Sequence, residues 1–334
     1  MEVQAELENA IPNISMKYDP EITDDDFALA CVKCALKTAK PSFANHRMFK
    51  NELGENYVIA SCYNGLLLGG GAYTLCRLIL GHIAERSAGI EDFKNNQLPY
   101  VMDVMAKYMD ARIAFEVEQS GFFESNFLAK EGLIHRDRFT GMFGLVGLAD
   151  AVNVLMTKEG KDDRFGHSDA ATQLGIEIMD IINEFNNNHF NKYCEGTGSH
   201  FLLHAQVGIA EDKGIAPGTR IPIGEEPEEL VDHLNVISNF HKYFVSGTGD
   251  IFPVDLTVHK NPEYVLDIIK GSWQKDIRYL SFYSSDSDVI RITGYLVKRS
   301  EIEKYEQGNA VLQNTTQLGT GAKKNGRILE RKVR

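Results

Sequence analysis

Two short stretches of the chain carry residue types and spacings that could do chemistry. Near the end of the 334 residues, Asp288, Val289, Ile290, Arg291, Ile292, Thr293, Gly294, Tyr295, Leu296 and Val297 set one glycine between a guanidinium and a phenol. An unpaired electron on an α-carbon is stabilised when that carbon flattens and shares it with the amide nitrogen on one side and the carbonyl on the other. A side chain would obstruct that flattening, and glycine also lets a loop turn sharply inside a buried site. Arg291 and Tyr295 could anchor such a loop through the guanidinium fork and the phenolic hydroxyl. Taken alone, the same residues also read as an ordinary strand and turn. The second stretch is Cys62, set at the end of the apolar run 57–61 and followed by Tyr63, Asn64, Gly65 and the run Gly69, Gly70, Gly71. An S–H bond and an activated C–H bond have similar strength, so a hydrogen atom can pass between sulfur and carbon in either direction. A buried structural cysteine is the alternative for Cys62. The glycine run is not a P-loop, because no Lys-Ser or Lys-Thr follows it.

The stretch 288–297 resembles the radical loop of the glycyl radical enzymes. Val289, Arg291, Ile292, Gly294, Tyr295 and Val297 fit that family's pattern directly; Thr293 departs mildly, since Cys, Ser or Ala is commoner there. Beyond the loop, the wording of the chain is similar to the YjjI-type glycine radical proteins. This likeness is carried by Tyr18-Asp19-Pro20-Glu21-Ile22-Thr23, Ser61-Cys62-Tyr63-Asn64, Ala84-Glu85-Arg86-Ser87, Leu203-His204-Ala205-Gln206, Arg291-Ile292-Thr293-Gly294-Tyr295 and Arg327-Ile328-Leu329-Glu330-Arg331. The run 144–153 resembles a segment of the anaerobic ribonucleotide reductases of the same superfamily.

The resemblance implies an α/β fold: a ten-stranded barrel like that of pyruvate formate-lyase and anaerobic ribonucleotide reductase, made of two parallel five-stranded halves set antiparallel. Inside it the Cys and Gly loops meet. It implies a glycyl radical stored at Gly294, a thiyl radical relayed at Cys62, and hydrogen abstraction from a small organic substrate without oxygen. Its partner would be a radical SAM activating enzyme using SAM and an iron-sulfur cluster, with no metal held by this chain; a homodimer is compatible. Such a thiyl site needs a dry, enclosed position and not a depressed thiol pKa. Cys194, followed by Glu195, partly echoes the Cys-Val-Glu of other members and competes with Cys62. Its polar neighbours predict an exposed loop.

Only 61 residues precede Cys62, fewer than a full half-barrel needs, so the expected barrel is partial here. The expected organisation is a partial barrel over 1–275 with the Cys loop at 61–71, a glycine radical domain over 276–308 and a tail over 309–334. A truncated or non-catalytic relative is the alternative to an enzyme. A spare radical domain is disfavoured by the presence of Cys62 and its loop.

The elements that must position these residues are legible as periodicities. Asp24, Asp25 and Asp26 open a helix that runs to Lys40 and Pro41 and contains Cys31 and Cys34, read as packing residues. Residues 57–61 read as a buried strand, 62–71 as a loop and 73–84 as a helix. A long helical region spans 92–118, and further helices are expected over 170–185 and 261–268. Residues 201–209 predict a strand carrying His204 and Gln206, which with Asn64 are candidates for a substrate pocket; a satisfied core histidine is the other reading of His204. The tight loop 245–250 is left without a role, 277–283 predict a strand feeding the Gly loop, and the basic tail is expected at the surface.

Composition narrows the class. Hydrophobic residues at 43% and charged residues at 25% suit a globular protein, and a net charge of −12 argues against a nucleic-acid partner. No run of 18 apolar residues occurs, and the start lacks the pattern of a signal peptide, so no membrane role and a cytoplasmic location are expected. Five irregularly spaced cysteines fit a reducing compartment.

Overall fold

The computed structural model describes residues 1–7, 12–60, 63–205, 215–292, 296–311 and 330–334. Cys62, Gln206, Thr293, Gly294 and Tyr295 lie outside the described residues.

Eleven strands are formed among the described residues: β1 (Ser15–Tyr18), β2 (Ser42–Asn45), β3 (Tyr57–Ala60), β4 (Asn64–Leu67), β5 (Gly71–Ile79), β6 (Phe139–Val146), β7 (Leu202–Ala205), β8 (Asp250–Val254), β9 (Tyr279–Ser284), β10 (Val289–Arg291) and β11 (Leu296–Lys298). One sheet has the order β1-β2-β9-β8. Within it β1 and β2 run parallel, β8 and β9 run parallel, and the two pairs meet antiparallel where Phe43 faces Leu280. A second sheet, β5-β6-β7, is wholly parallel. It is bridged to the first where Ala205 N donates to Gly247 O at 3.1 Å and Ser246 Oγ donates to Leu203 O at 2.7 Å. The fold is therefore α/β, with parallel groups of strands meeting at one antiparallel junction.

Parallel strands need crossovers, and helices supply them. All eight residues of β6 are buried, which suits a strand covered on both faces and explains its near-continuous apolar run. The helices Leu98–Glu118, Leu148–Lys158 and Asp169–Asn188 bury Met102, Met105, Met109, Val152, Leu155, Ile178 and Ile182 in one apolar core with β5 and β6. Asp24 caps the helix Asp25–Thr38 by accepting from Phe27 N at 2.9 Å, and Ser168 caps Asp169–Asn188 by accepting from Ala171 N at 3.1 Å. Cys31 and Cys34 are buried in that first helix as expected.

Two local expectations need correction. Residues 73–84 are not one helix: β5 continues to Ile79 and only then does the helix Leu80–Arg86 begin. Pairing with β6 from Gly71 to Ile79 outweighs the local helical signal. Residues 62–71 are not a plain loop either, because β4 folds back on β3 with Ala60 facing Asn64. Among the described residues no helix is long and apolar enough to cross a membrane.

Candidate active site

The β3–β4 hairpin is held by aromatic packing. Phe49 stacks on Tyr57 with ring centroids 5.5 Å apart, and Tyr63 tilts against Tyr279 at 5.1 Å. A Cβ on Gly65 would lie 2.5 Å from the Phe49 ring, so only glycine lets the hairpin sit this close. Gly65 N donates to Ser246 O at 2.9 Å. Gly247, at φ +124°, brings its backbone so near that an added Cβ would stand 2.1 Å from Tyr63 O. Tyr63, the residue after Cys62, is itself left-handed at φ 59°, and its hydroxyl accepts from Arg220 Nη2 at 3.0 Å. Arg220 Nε donates to Gly249 O at 2.6 Å, so one guanidinium joins the hairpin to the loop before β8.

The β10–β11 hairpin presents the glycine segment. Arg291 faces Leu296 at the end of the ladder. The Arg291 side chain is fully buried and donates to Asn13 Oδ1 at 2.8 Å and to Ala39 O at 3.2 Å. A second arginine holds the end of the ladder from the other side. Arg331 Nη1 donates to Arg291 O at 2.9 Å and to Tyr283 Oη at 3.2 Å, while Nη2 donates to Ile292 O at 3.1 Å. The tail was expected to pack on or near the surface; of its described residues Arg331 alone is buried, where carbonyls at the end of the β10–β11 ladder need donors, while Val333 is 47% exposed.

Arg220 and Arg331 border one narrow cavity, shared with His233, Asp250, Glu226 and the apolar side chains of Ile221, Ile223 and Ile251. Burial alone would raise the Asp250 carboxyl, but its contact with His233 and the charge of Arg220 outweigh it and hold the group well below the usual carboxylate range. His233 Nδ1 accepts from Arg334 Nη2 at 2.9 Å, so its proton sits on Nε2, 3.7 Å from Asp250 Oδ1. Asp250 Oδ2 and His233 Nε2 are buried and have no hydrogen-bond partner among the described residues.

The other expected site residues fall as follows. Asn64 opens β4, two residues past Cys62, and its Oδ1 is buried with no hydrogen-bond partner. His204 is buried on β7 with Nδ1 3.3 Å from Ser246 Oγ; burial pushes it down to about 4, and the contact with Ser246 opposes that shift. It stands behind the Cys hairpin and does not border the Arg220–Arg331 cavity. Cys194 is not in an exposed loop: it is fully buried in the main apolar core, where Gly141 N donates to its Sγ at 3.3 Å and burial raises the thiol. Its polar neighbours misled because a tight turn, with Cys194 O accepting from Ser199 N at 2.9 Å, folds their side chains away from it. Sequence reading missed Arg220, Asp250 and Arg331. Asp250 had a faint signal in its glycine-rich run, and Arg331 was hidden among the tail's other basic residues.

Among the described residues, no three His, Cys, Asp or Glu side chains are gathered as a metal centre would need.

Comparison with known proteins agrees with this architecture. A protein from Haemophilus influenzae, itself uncharacterised, is 46% identical over 332 residues, covering 98% of this chain and 64% of its own length. The chain thus spans slightly under two thirds of the curated relatives it matches. In solved structures, a glycyl radical enzyme from Archaeoglobus fulgidus superposes with a TM-score of 0.71 at 12% identity, covering 99% of this chain and 54% of that one. The glycerol-bound B12-independent glycerol dehydratase from Clostridium butyricum gives 0.70 at 12% identity, with 99% and 54% covered. These likenesses establish the fold as that of the glycyl radical enzyme barrel, of which the described strands form part. The family model of the YjjI-like glycyl radical enzymes matches residues 1–334, and the chain belongs to that family.

Proposed function

We propose that this chain carries the radical core of an anaerobic enzyme in which Gly294 stores an unpaired electron and Cys62 relays it to a small organic substrate. The observation that supports the reading best is the shared cavity. One of its bordering arginines, Arg220, holds Tyr63 beside Cys62, and the other, Arg331, holds Ile292 two residues before Gly294. Two hairpins remote in sequence are thus each bonded to an arginine that borders one narrow space.

When installed, the radical at Gly294 supplies an acceptor for the hydrogen atom of the Cys62 thiol. The sulfur then takes a hydrogen atom from a substrate C–H bond and can return it after the substrate has rearranged. The surrounding aromatic and apolar side chains exclude water that would carry quenching agents. Asp250 Oδ2 and His233 Nε2 together suit a hydroxyl, which would donate to the first and accept from the second, and Asn64 Oδ1 offers another acceptor beside the cysteine. The cavity beside that pairing, about 10 Å³, has room for one hydroxyl or water and no larger group. Burial within a separate apolar core, away from the aromatic cluster of the β3–β4 hairpin, weighs against Cys194 as the relay.

In this reading 1–275 supply the partial barrel, 276–308 the radical domain and 309–334 a tail. A radical SAM activating enzyme with its iron-sulfur cluster makes the radical, and the protein works in the cytoplasm, with a homodimer compatible. The test is anaerobic incubation with a matching activase, SAM and a reductant, followed by electron paramagnetic resonance and by mass spectrometry after exposure to air. A doublet signal and cleavage at Gly294, both abolished by Gly294→Ala, are expected; Cys62→Ser should keep the signal and lose turnover. A silent spectrum and an intact chain, with an activase shown to be competent on its own partner, would overturn the assignment.

A further inference from the structure

The end of the chain is fastened in an unusual way. Arg334 extends the edge of β8, its N donating to Pro253 O at 2.8 Å and its O accepting from Asp255 N at 2.7 Å. Its guanidinium reaches Pro227 O at 2.6 Å, Glu228 O at 3.0 Å and His233, and Lys332 pairs with Glu228. Every one of these contacts is polar. Val333, the one apolar residue among 330–334, is 47% exposed, and Arg331 is the one side chain of the segment that is buried.

What the segment holds is the tip of the β10–β11 hairpin. The carbonyls of Arg291 and Ile292 lie where the ladder ends, and the planar fork of Arg331 takes both at once. The hairpin packs in an apolar cluster of its own, with Ile251, Tyr283 and Ile302, separate from the main core. We propose that residues 330–334 form a releasable clasp, with Arg331 as the positioning residue that keeps the tip of the β10–β11 hairpin in the protein and whose release frees the tip for modification at Gly294. This rests on the proposed role of Gly294 only for its second half; the clasp itself concerns the resting protein.

The test therefore begins without any radical. In the full chain, hydrogen–deuterium exchange of a peptide covering 289–298 is compared between wild type, Arg331→Ala and Arg331→Lys. Loss of two charge-assisted bonds should speed exchange in that peptide at least ~10-fold in Arg331→Ala. Peptides from β6 and the helix Leu148–Lys158 should stay at the wild-type rate, and Arg331→Lys, a single charge without the fork, should fall between. Under activating conditions the radical signal should then appear faster in Arg331→Ala and decay sooner. Unchanged exchange in 289–298, or exchange raised equally throughout the chain, would overturn the clasp. Locally raised exchange with no radical in any variant would uphold the clasp and overturn Gly294 as the stored-radical site.

Discussion

The two hairpins whose partner arginines, Arg220 and Arg331, border the cavity are secured by different contacts. The β3–β4 hairpin is fixed by stacked rings and glycine close approaches, with Phe49, Tyr57, Tyr63 and Tyr279 in one buried cluster. The β10–β11 hairpin has an apolar footing of its own, Val289, Ile290, Ile292, Leu296 and Val297 packing with Ile251, Tyr283 and Ile302, and two arginines add hydrogen bonds to it, Arg291 reaching back to Asn13 and Arg331 reaching in from the tail. Apolar packing cannot be undone piecemeal, whereas hydrogen bonds at a hairpin tip exchange readily with water.

The sharpest way to break this contrast is Gly247→Ala. A Cβ there would meet Tyr63 O at 2.1 Å on a backbone at φ +124°, and the expected cost is about 3 kcal/mol of unfolding free energy. Denaturant titration would show it, with exchange rising first in residues 57–67; a neutral substitution would mean the Cys hairpin is not rigidly seated.

Acid separates the sides next. Burial holds His204 down to about 4 and His241 down to about 3, so both are neutral when folded, and the unfolded chain takes up their protons first, near pH 6.5. Stability is full above that value and falls as pH drops from about 6.5 toward 4, by about 1.4 kcal/mol per pH unit for each histidine. His204→Asn should remove one such contribution from the slope, measured by urea midpoints across that window. The arginines of the other hairpin stay charged throughout, so its exchange, corrected for intrinsic rate, should change least over the same range.

The mildest change expected is Tyr57→Phe. It keeps the ring on Phe49 and loses only the 2.8 Å bond between Tyr57 Oη and His46 Nδ1, for about 1 kcal/mol in a thermal or chemical melt. A loss several times larger would show that polar contacts matter as much on this side as on the other.

Much of this molecule could be read from residue types alone. The glycine between Arg291 and Tyr295, the apolar run that ends at Cys62 and the capped helix Asp25–Thr38 are local signals, set by backbone freedom, side-chain period and capping, and they locate the hairpins and most helices. The strand β5 was misread because its identity depends on pairing with β6, more than sixty residues away. Cys194 was misread because burial is decided by how a turn folds and not by the polarity of its neighbours. Arg220, Asp250 and Arg331 were invisible for the same reason: an arginine becomes a clamp, and an aspartate a buried carboxylate with an open oxygen, only when distant segments converge around it. Sequence by itself determined which residues could hold a radical and which helices would form, since those follow from covalent chemistry and local periodicity. Which side chains border the cavity, and that the tail grips the β10–β11 hairpin, was decided by tertiary structure, because guanidinium forks find their carbonyls only across long-range contacts.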